Sequence, residues 1–250
     1  MEGKYSRYEG LSGEGNFTVL HAGADYLMTS RLLLGVGAQL DWITYDQSSG
    51  AGQSDGFGFM VGPYLTAKVT DQFYIDAAAS WGQADNSVSP LGTYSDDFDS
   101  ERWLVTGALI GEFSFHEVLV QPEVRLSYYR EDTDAYVDTV GTAIPSLTYE
   151  SGTLEFGPTF SRTFELDNGM ALTPSLGARG VWTFSAENTA NRFQSNPSTL
   201  ADERLSASVT AGLALMTADG MHFNVDGSYA GIGDDTFEAW TVRARAGLNW

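Results

Sequence analysis

Three histidines, His21, His116 and His222, are the only imidazoles in the chain. Two of them stand four residues before an aspartate: His21 before Asp25 and His222 before Asp226. A histidine held by a carboxylate serves as general base in hydrolases, but only when the reacting groups lie within hydrogen-bond reach. Both pairs fall in segments that alternate with a period of two, so the members of each pair share a face yet sit ~13 Å apart along the strand. That separation fits ordinary polar networks better than a catalytic dyad, and His116 falls in a short turn. Two acidic stretches, "GDD" at 233–235 and "SDDFDSE" at 95–101, offer the oxygen atoms that calcium prefers but lack EF-hand spacing. They read as solvated loops. With no phosphate loop, zinc motif or nucleophile elbow in view, the sequence predicts no enzyme, no metal site and no cofactor.

The remaining charges inside alternating segments form a more coherent set. Asp25, Asp41, Asp76, Glu123, Arg125, Glu155, Arg179, His222, Asp226, Arg243 and Arg245 all fall on the polar face of their segment. On a soluble barrel that face would be the solvated exterior. On a membrane barrel of this size it would line the lumen. In the second case Arg125, Arg179, Arg243 and Arg245 would pair with Asp41, Asp76, Glu123 and Asp226, either holding the lumen partly closed or lining a conducting pore.

The elements that position these residues are strands. In "RLLLGVGAQLDW", Leu32, Leu34, Val36, Ala38, Leu40 and Trp42 share one face while Gly35, Gly37, Gln39 and Asp41 share the other. "VLVQPEVRLSYY" and "MHFNVDGSY" alternate in the same way, and no helical spacing fits them. Marking off such segments predicts about twelve strands, near residues 3–9, 15–27, 31–44, 55–67, 72–83, 101–112, 117–130, 148–162, 170–185, 202–215, 220–231 and 237–250. No linker or composition shift interrupts them, so residues 1–250 read as one domain. The connections alternate between short ("MTS", "KVTDQ", "FHE", "ELDNG", "TADG") and long ("TYDQSSGAGQSD", "ADNSVSPLGTYSDDFDS", "EDTDAYVDTVGTAIPS", "ENTANRFQSNPSTLAD"). An even number of up-and-down strands with short turns at one end and long loops at the other is the plan of a transmembrane β-barrel.

Composition narrows the class further. A formal charge of −20, from 33 acidic and 13 basic residues, repels nucleic acid. A hydrophobic content of 42% with 13% aromatics argues against disorder. No apolar run is long enough for a transmembrane helix, and nothing resembling a signal peptide follows Met1. Absence of cysteine removes disulfide and thiol-metal schemes. Alternation alone would also suit a lipocalin-like barrel or a sandwich, but the aromatics favour a membrane. Trp42, Trp81, Trp103, Trp182 and Trp240 gather near the long-loop ends of their strands, and Trp250 lies at the opposite end. This matches the preference of indole rings for both membrane interfaces. Pro63, Pro122, Pro158 and Pro174 interrupt the apolar faces and predict bulges or missing ladder bonds there.

Several stretches resemble the C-terminal β-domain of autotransporters, the monomeric type V secretion proteins: "AGADYLMTSRLLLGVGAQLDW" at 22–42, "ALTPSLGARGVWTF" at 171–184, "DERLSASVTAGLAL" at 202–215 and "DGSYAGIGDDTFEAW" at 226–240. Their succession, with the aromatic C-terminus, carries the resemblance through almost the whole chain. It implies an all-β, antiparallel up-and-down barrel of twelve strands in the bacterial outer membrane, in contact with lipid. It also implies a role as translocator and anchor for an N-terminal passenger, and insertion by the barrel-assembly machinery, which would read the last strand at Ala246, Leu248 and Trp250. Arg245 stands where the family's assembly signal usually has glycine. An outer-membrane channel or structural barrel without a secretion role is the other function compatible with these features.

Overall fold

The computed structural model describes residues 1–10, 13–47, 52–90, 92–166, 169–188, 204–235 and 237–248. Among them there is no helix, and twelve long strands carry the fold. They are β1 (Glu2–Gly10), β2 (Gly13–Thr29), β3 (Leu32–Gln47), β4 (Gln53–Lys68), β5 (Phe73–Ser89), β6 (Asp96–Gly111), β7 (Val118–Thr133), β8 (Leu147–Ser161), β9 (Ala171–Asn188), β10 (Arg204–Met216), β11 (Met221–Ile232) and β12 (Phe237–Leu248). Each pairs antiparallel with its sequence neighbours, and β12 pairs with β1, so the sheet closes into a barrel. Short added strands, Phe113–Phe115 and Phe164–Glu165, lengthen two of the turns at the short-turn end.

The observed strands overrun the alternating segments on the long-loop side. β5 continues to Ser89 and β6 starts at Asp96, where apolar alternation marks 83 and 101 as the limits. The extra residues are polar (Asp85, Asn86, Asp97, Asp99), yet their backbones stay in register, Asp85 opposite Asp99 and Ser87 opposite Asp97. Alternation reports where one face is apolar. The backbone ladder needs no apolar face and runs on past it.

Partition is inverted relative to a soluble core. The outward face carries large exposed apolar side chains, with Leu205 68%, Leu176 61% and Trp240 61% accessible. The most buried large side chain is Asp41, at 2%. The prolines sit on the outward face at interruptions of the ladder. The β4–β5 pairing skips Gly62 and Pro63, and the β8–β9 pairing skips Gly157 and Pro158. Pro122 and Pro174 lie just past the last pairs of β6–β7 and β8–β9. In each case the missing N–H coincides with a break in the regular ladder.

Inside, small residues make room for rings. Tyr64 lies across β3, and a Cβ added at Gly35 would sit 2.3 Å from Tyr64 Cζ. The phenol then reaches Asp25 and donates a 2.6 Å hydrogen bond. Gly35→Val is expected to lower barrel stability by about 1–3 kcal/mol through overpacking. Tyr64→Phe, which removes only the hydroxyl, should cost about 1 kcal/mol. The midpoint of heat-induced loss of the folded, fast-migrating gel band measures both. An equal or reversed order would show that the ring seat is not what constrains this wall.

Candidate functional site: the interior wall

The register places Asp25, Asp41, Asp76, Glu123, Arg125, Glu155, Arg179, His222, Asp226, Arg243 and Arg245 on the inward face. They do not converge on one centre. On β7, β8 and β9, Glu123 accepts from Arg125 Nε at 2.7 Å and from Arg179 Nη2 at 2.7 Å, and Arg179 Nη1 reaches Glu155 at 3.4 Å. On β11, β12 and β1, Arg245 bonds Glu2 and approaches Asp226 at 3.9 Å. Arg243 approaches Asp226 at 4.0 Å. Asp76 accepts from Thr66 at 2.7 Å, and His222 lies against Gly247, its partner across the β11–β12 ladder.

Asp41 and Asp76 join none of those arginines, although Arg125 lies two strands from Asp76 and Arg243 three strands from Asp41 in the same rows; both arginines turn to nearer carboxylates. Asp41 is taken by Arg102 of β6, three strands away in the other direction. The guanidinium crosses β5 and β4 to make two bonds to Asp41, 2.8 and 3.1 Å, and its Nη2 also donates to the carbonyls of Gln83 and Phe59. The path is cleared by Gly58, where a Cβ would come within 1.9 Å of Nη2. A chain of polar contacts continues from Asp41 to Gln39, and from Gln39 to His21 at 2.7 Å. The imidazole is thus engaged with an amide, and Asp25 is held by Tyr64 instead. Nearby, Glu131 accepts from Ser100 and Tyr129. Among the described residues no three His, Asp or Glu side chains converge as metal ligands.

Arg102, Glu131, Lys4 and Glu2 are absent from the residues that the sequence singles out. Arg102 had a signal, since it adjoins Trp103 and parity turns it inward when the indole turns out. Lys4 and Glu2 lie on the first strand, whose short alternation gave little to count.

At the long-loop end, the connection 134–146 folds back on inward-facing residues of β6. Thr139 donates to Asp96 through its backbone N–H (2.8 Å) and hydroxyl (2.7 Å), and Tyr136 stacks on Phe98 with centroids 5.3 Å apart. Burial, with Asp96 and Asp138 near, pushes the Tyr136 phenol above its ordinary pKa. The acidic stretch around Asp96 therefore pins a loop. Outside, Trp81 stands opposite Trp103, Trp42 opposite Phe57, Trp240 opposite Tyr229 and Trp182 opposite Leu205. Beyond them the outward face turns polar at Asp55, Glu101 and Glu238, and Arg130 stands opposite Trp103 itself. Ala246 and Leu248 face outward at the end of β12, and Trp250 lies outside the described residues.

The Arg102–Asp41 pair is 7% and 2% exposed, so losing one partner strands a buried charge. Arg102→Met is expected to destabilise the barrel by about 3–5 kcal/mol. Adding Asp41→Leu should recover most of that loss, because both charges are then gone. Urea unfolding in detergent measures it, and a single-variant loss below about 1 kcal/mol would remove this pair from the load on the fold.

Three solved barrels cover the whole chain. The β-domain of the Bordetella autotransporter BrkA aligns at 16% identity over 100% of this chain and 98% of its own, with a TM-score of 0.82. The transport unit of AIDA-I from Escherichia coli aligns at 12% identity over 100% and 89%, TM-score 0.78. The translocator domain of NalP from Neisseria meningitidis aligns at 14% over 100% and 87%, TM-score 0.73. At these identities the likeness is one of fold. No curated protein matches by sequence. The family profile described as Autotransporter beta-domain matches residues 2–228, and the chain belongs to that family.

Proposed function

We propose that this chain is the translocator and membrane anchor of an autotransporter, a barrel that sits in the bacterial outer membrane and supports secretion of an N-terminal passenger. The observation that carries the reading is a closed barrel with an apolar exterior in a chain of this family. Every unpaired backbone group in lipid costs several kcal/mol, so an edgeless sheet with outward Leu, Val and Phe is suited to a bilayer. Residues 1–250 act as one barrel domain, with the short turns on the periplasmic side.

In this arrangement Trp42, Trp81, Trp103, Trp182 and Trp240 mark the outer interface and Trp250 the inner one. The charged interior residues, from Asp25 to Arg245, face a wet lumen. Ala246, Leu248 and Trp250 form the signal read by the barrel-assembly machinery. The histidines take no catalytic part, which suits the engagement of His21 with Gln39, and no cofactor is needed.

The direct test fuses a reporter passenger upstream of residue 1 and exposes intact cells to added protease. Surface-exposed passenger is expected when the barrel is folded and heat-modifiable. A folded barrel that leaves the passenger inside would favour the channel or structural reading. The membrane assignment has its own check. Leu176, outward on β9 and well exposed, should tolerate Leu176→Arg only at a cost of about 2–4 kcal/mol in lipid. A barrel that stays monodisperse in detergent-free buffer would refute bilayer residence.

A further inference from the structure

The seam that closes the barrel has an irregular row of inward-facing pairs. Between β1 and β12, Glu2 stands opposite Arg245, Lys4 opposite Arg243 and Ser6 opposite Thr241. The first is an ion pair and the third a 2.9 Å hydrogen bond between hydroxyls. The middle pair sets two cations face to face, a juxtaposition that destabilises antiparallel sheets.

Neither cation has a carboxylate to itself. Arg243 Nε lies 3.6 Å from Glu2 and its Nη1 4.0 Å from Asp226, and Nε is buried without a hydrogen-bond partner among the described residues. Both carboxylates also serve Arg245. Glu2 and Glu155 pair with Arg245 and Arg179, and among the described residues no carboxylate reaches the Lys4 ammonium at ion-pair distance. Beside the pair lies a cavity of about 400 Å³, whose lining sets four cations, Lys4, Arg179, Arg243 and Arg245, against two carboxylates, Glu155 and Asp226, with Asn224 and several hydroxyls between them. Asn224 Oδ1 is also buried without a partner, and turning that amide over presents its N–H donors instead. Two under-neutralised cations, an adjustable amide and a set of hydroxyls make a donor-rich cradle, in a chain whose formal charge is −20.

We propose that this cavity binds an oxyanion, a carboxylate or a phosphate, that bridges Lys4 and Arg243 and so ties the first strand to the last. Water cannot play that part, because it hydrates the two cations without cancelling their repulsion. One chemistry serves two sources: a free oxyanion from solution, or a carboxylate side chain on a polypeptide inside the lumen. The site is a property of the barrel and stands apart from the secretion reading, so its test uses the purified chain alone.

The experiment titrates the barrel in zwitterionic detergent, at constant ionic strength, with inorganic phosphate in one arm and an oligoglutamate peptide in the other. The readout is the heat-modifiability midpoint. A saturable rise is expected in at least one arm. A response to phosphate assigns free anions, and a response to the peptide alone assigns carboxylates carried on a chain. Lys4→Gln and Arg243→Gln should weaken the apparent affinity at least about tenfold. Lys4→Arg, which keeps the cation, should retain the response and separates loss of the site from loss of the fold. Lys4→Glu supplies the anion itself, so it should melt higher without added ligand and ignore both probes. No saturable response in the wild-type barrel, or one that survives in Lys4→Gln and Arg243→Gln, overturns the proposal.

Discussion

Pairing of the last strand with the first is the interaction on which everything else depends. Eleven of the twelve lateral pairings join neighbours in sequence; only β12 with β1 joins the two ends of the chain. Without it the sheet would show two edges to lipid, each a row of unpaired N–H and C=O groups. The seam rests on β1, nine residues long, between β12 and the seventeen-residue β2. Nine cross-strand pairs with β12, the Glu2–Arg245 ion pair and the Ser6–Thr241 hydrogen bond hold it.

Closure then dictates the inverted partition. A ring of strands has one face toward lipid and one toward a lumen too narrow to ignore its own side chains. The outward row needs only to be apolar, and it is filled with Leu, Val, Phe and Ala in no fixed order. The inward row must satisfy charges without bulk solvent on every side. It does so locally, with arginines reaching carboxylates on nearby strands, and with glycines where a ring or guanidinium must lie flat. Tyr64 over Gly35 and Arg102 past Gly58 are two forms of one solution.

These two faces were not equally legible in the sequence. The outward row repeats strictly every second residue, so strand positions, the face of each charge and the height of the tryptophans could be counted. Partners could not. Parity assigns Asp41 to the interior but says nothing of which arginine lies near it, because that depends on how far a guanidinium extends across intervening strands. Asp41 therefore meets Arg102 of β6 and not Arg243 of β12, which stands three strands away on its other side. Strand ends escape the alternation for a related reason. Beyond Trp81 and Trp103 the ladder continues through Asp85 and Asp99, where hydrogen bonding persists after the apolar signal has stopped. The first strand was hardest to read, since its outward row changes from Gly3 and Tyr5 to Arg7 and Glu9 within a few residues.

The interior is thus divided in a way that bears on its task. Along β3 to β6 the strong charges are spent on one another, with Arg102 bound to Asp41 and to two backbone carbonyls. Around β12 and β1 three cations, Lys4, Arg243 and Arg245, face two shared carboxylates, Glu2 and Asp226, and Lys4 lines both the cavity of about 850 Å³ beside Arg102 and the one of about 400 Å³ beside Arg243. A lumen through which many sequences pass should not hold any of them tightly, and charges already paired offer little purchase on a moving chain. The committed wall meets that demand, and the proposed oxyanion site confines binding to the seam. Locating the uncommitted cations on β1 and β12 links occupancy of the lumen to the pairing that closes the sheet, so what sits inside the barrel acts on the same seam that keeps its edges out of lipid.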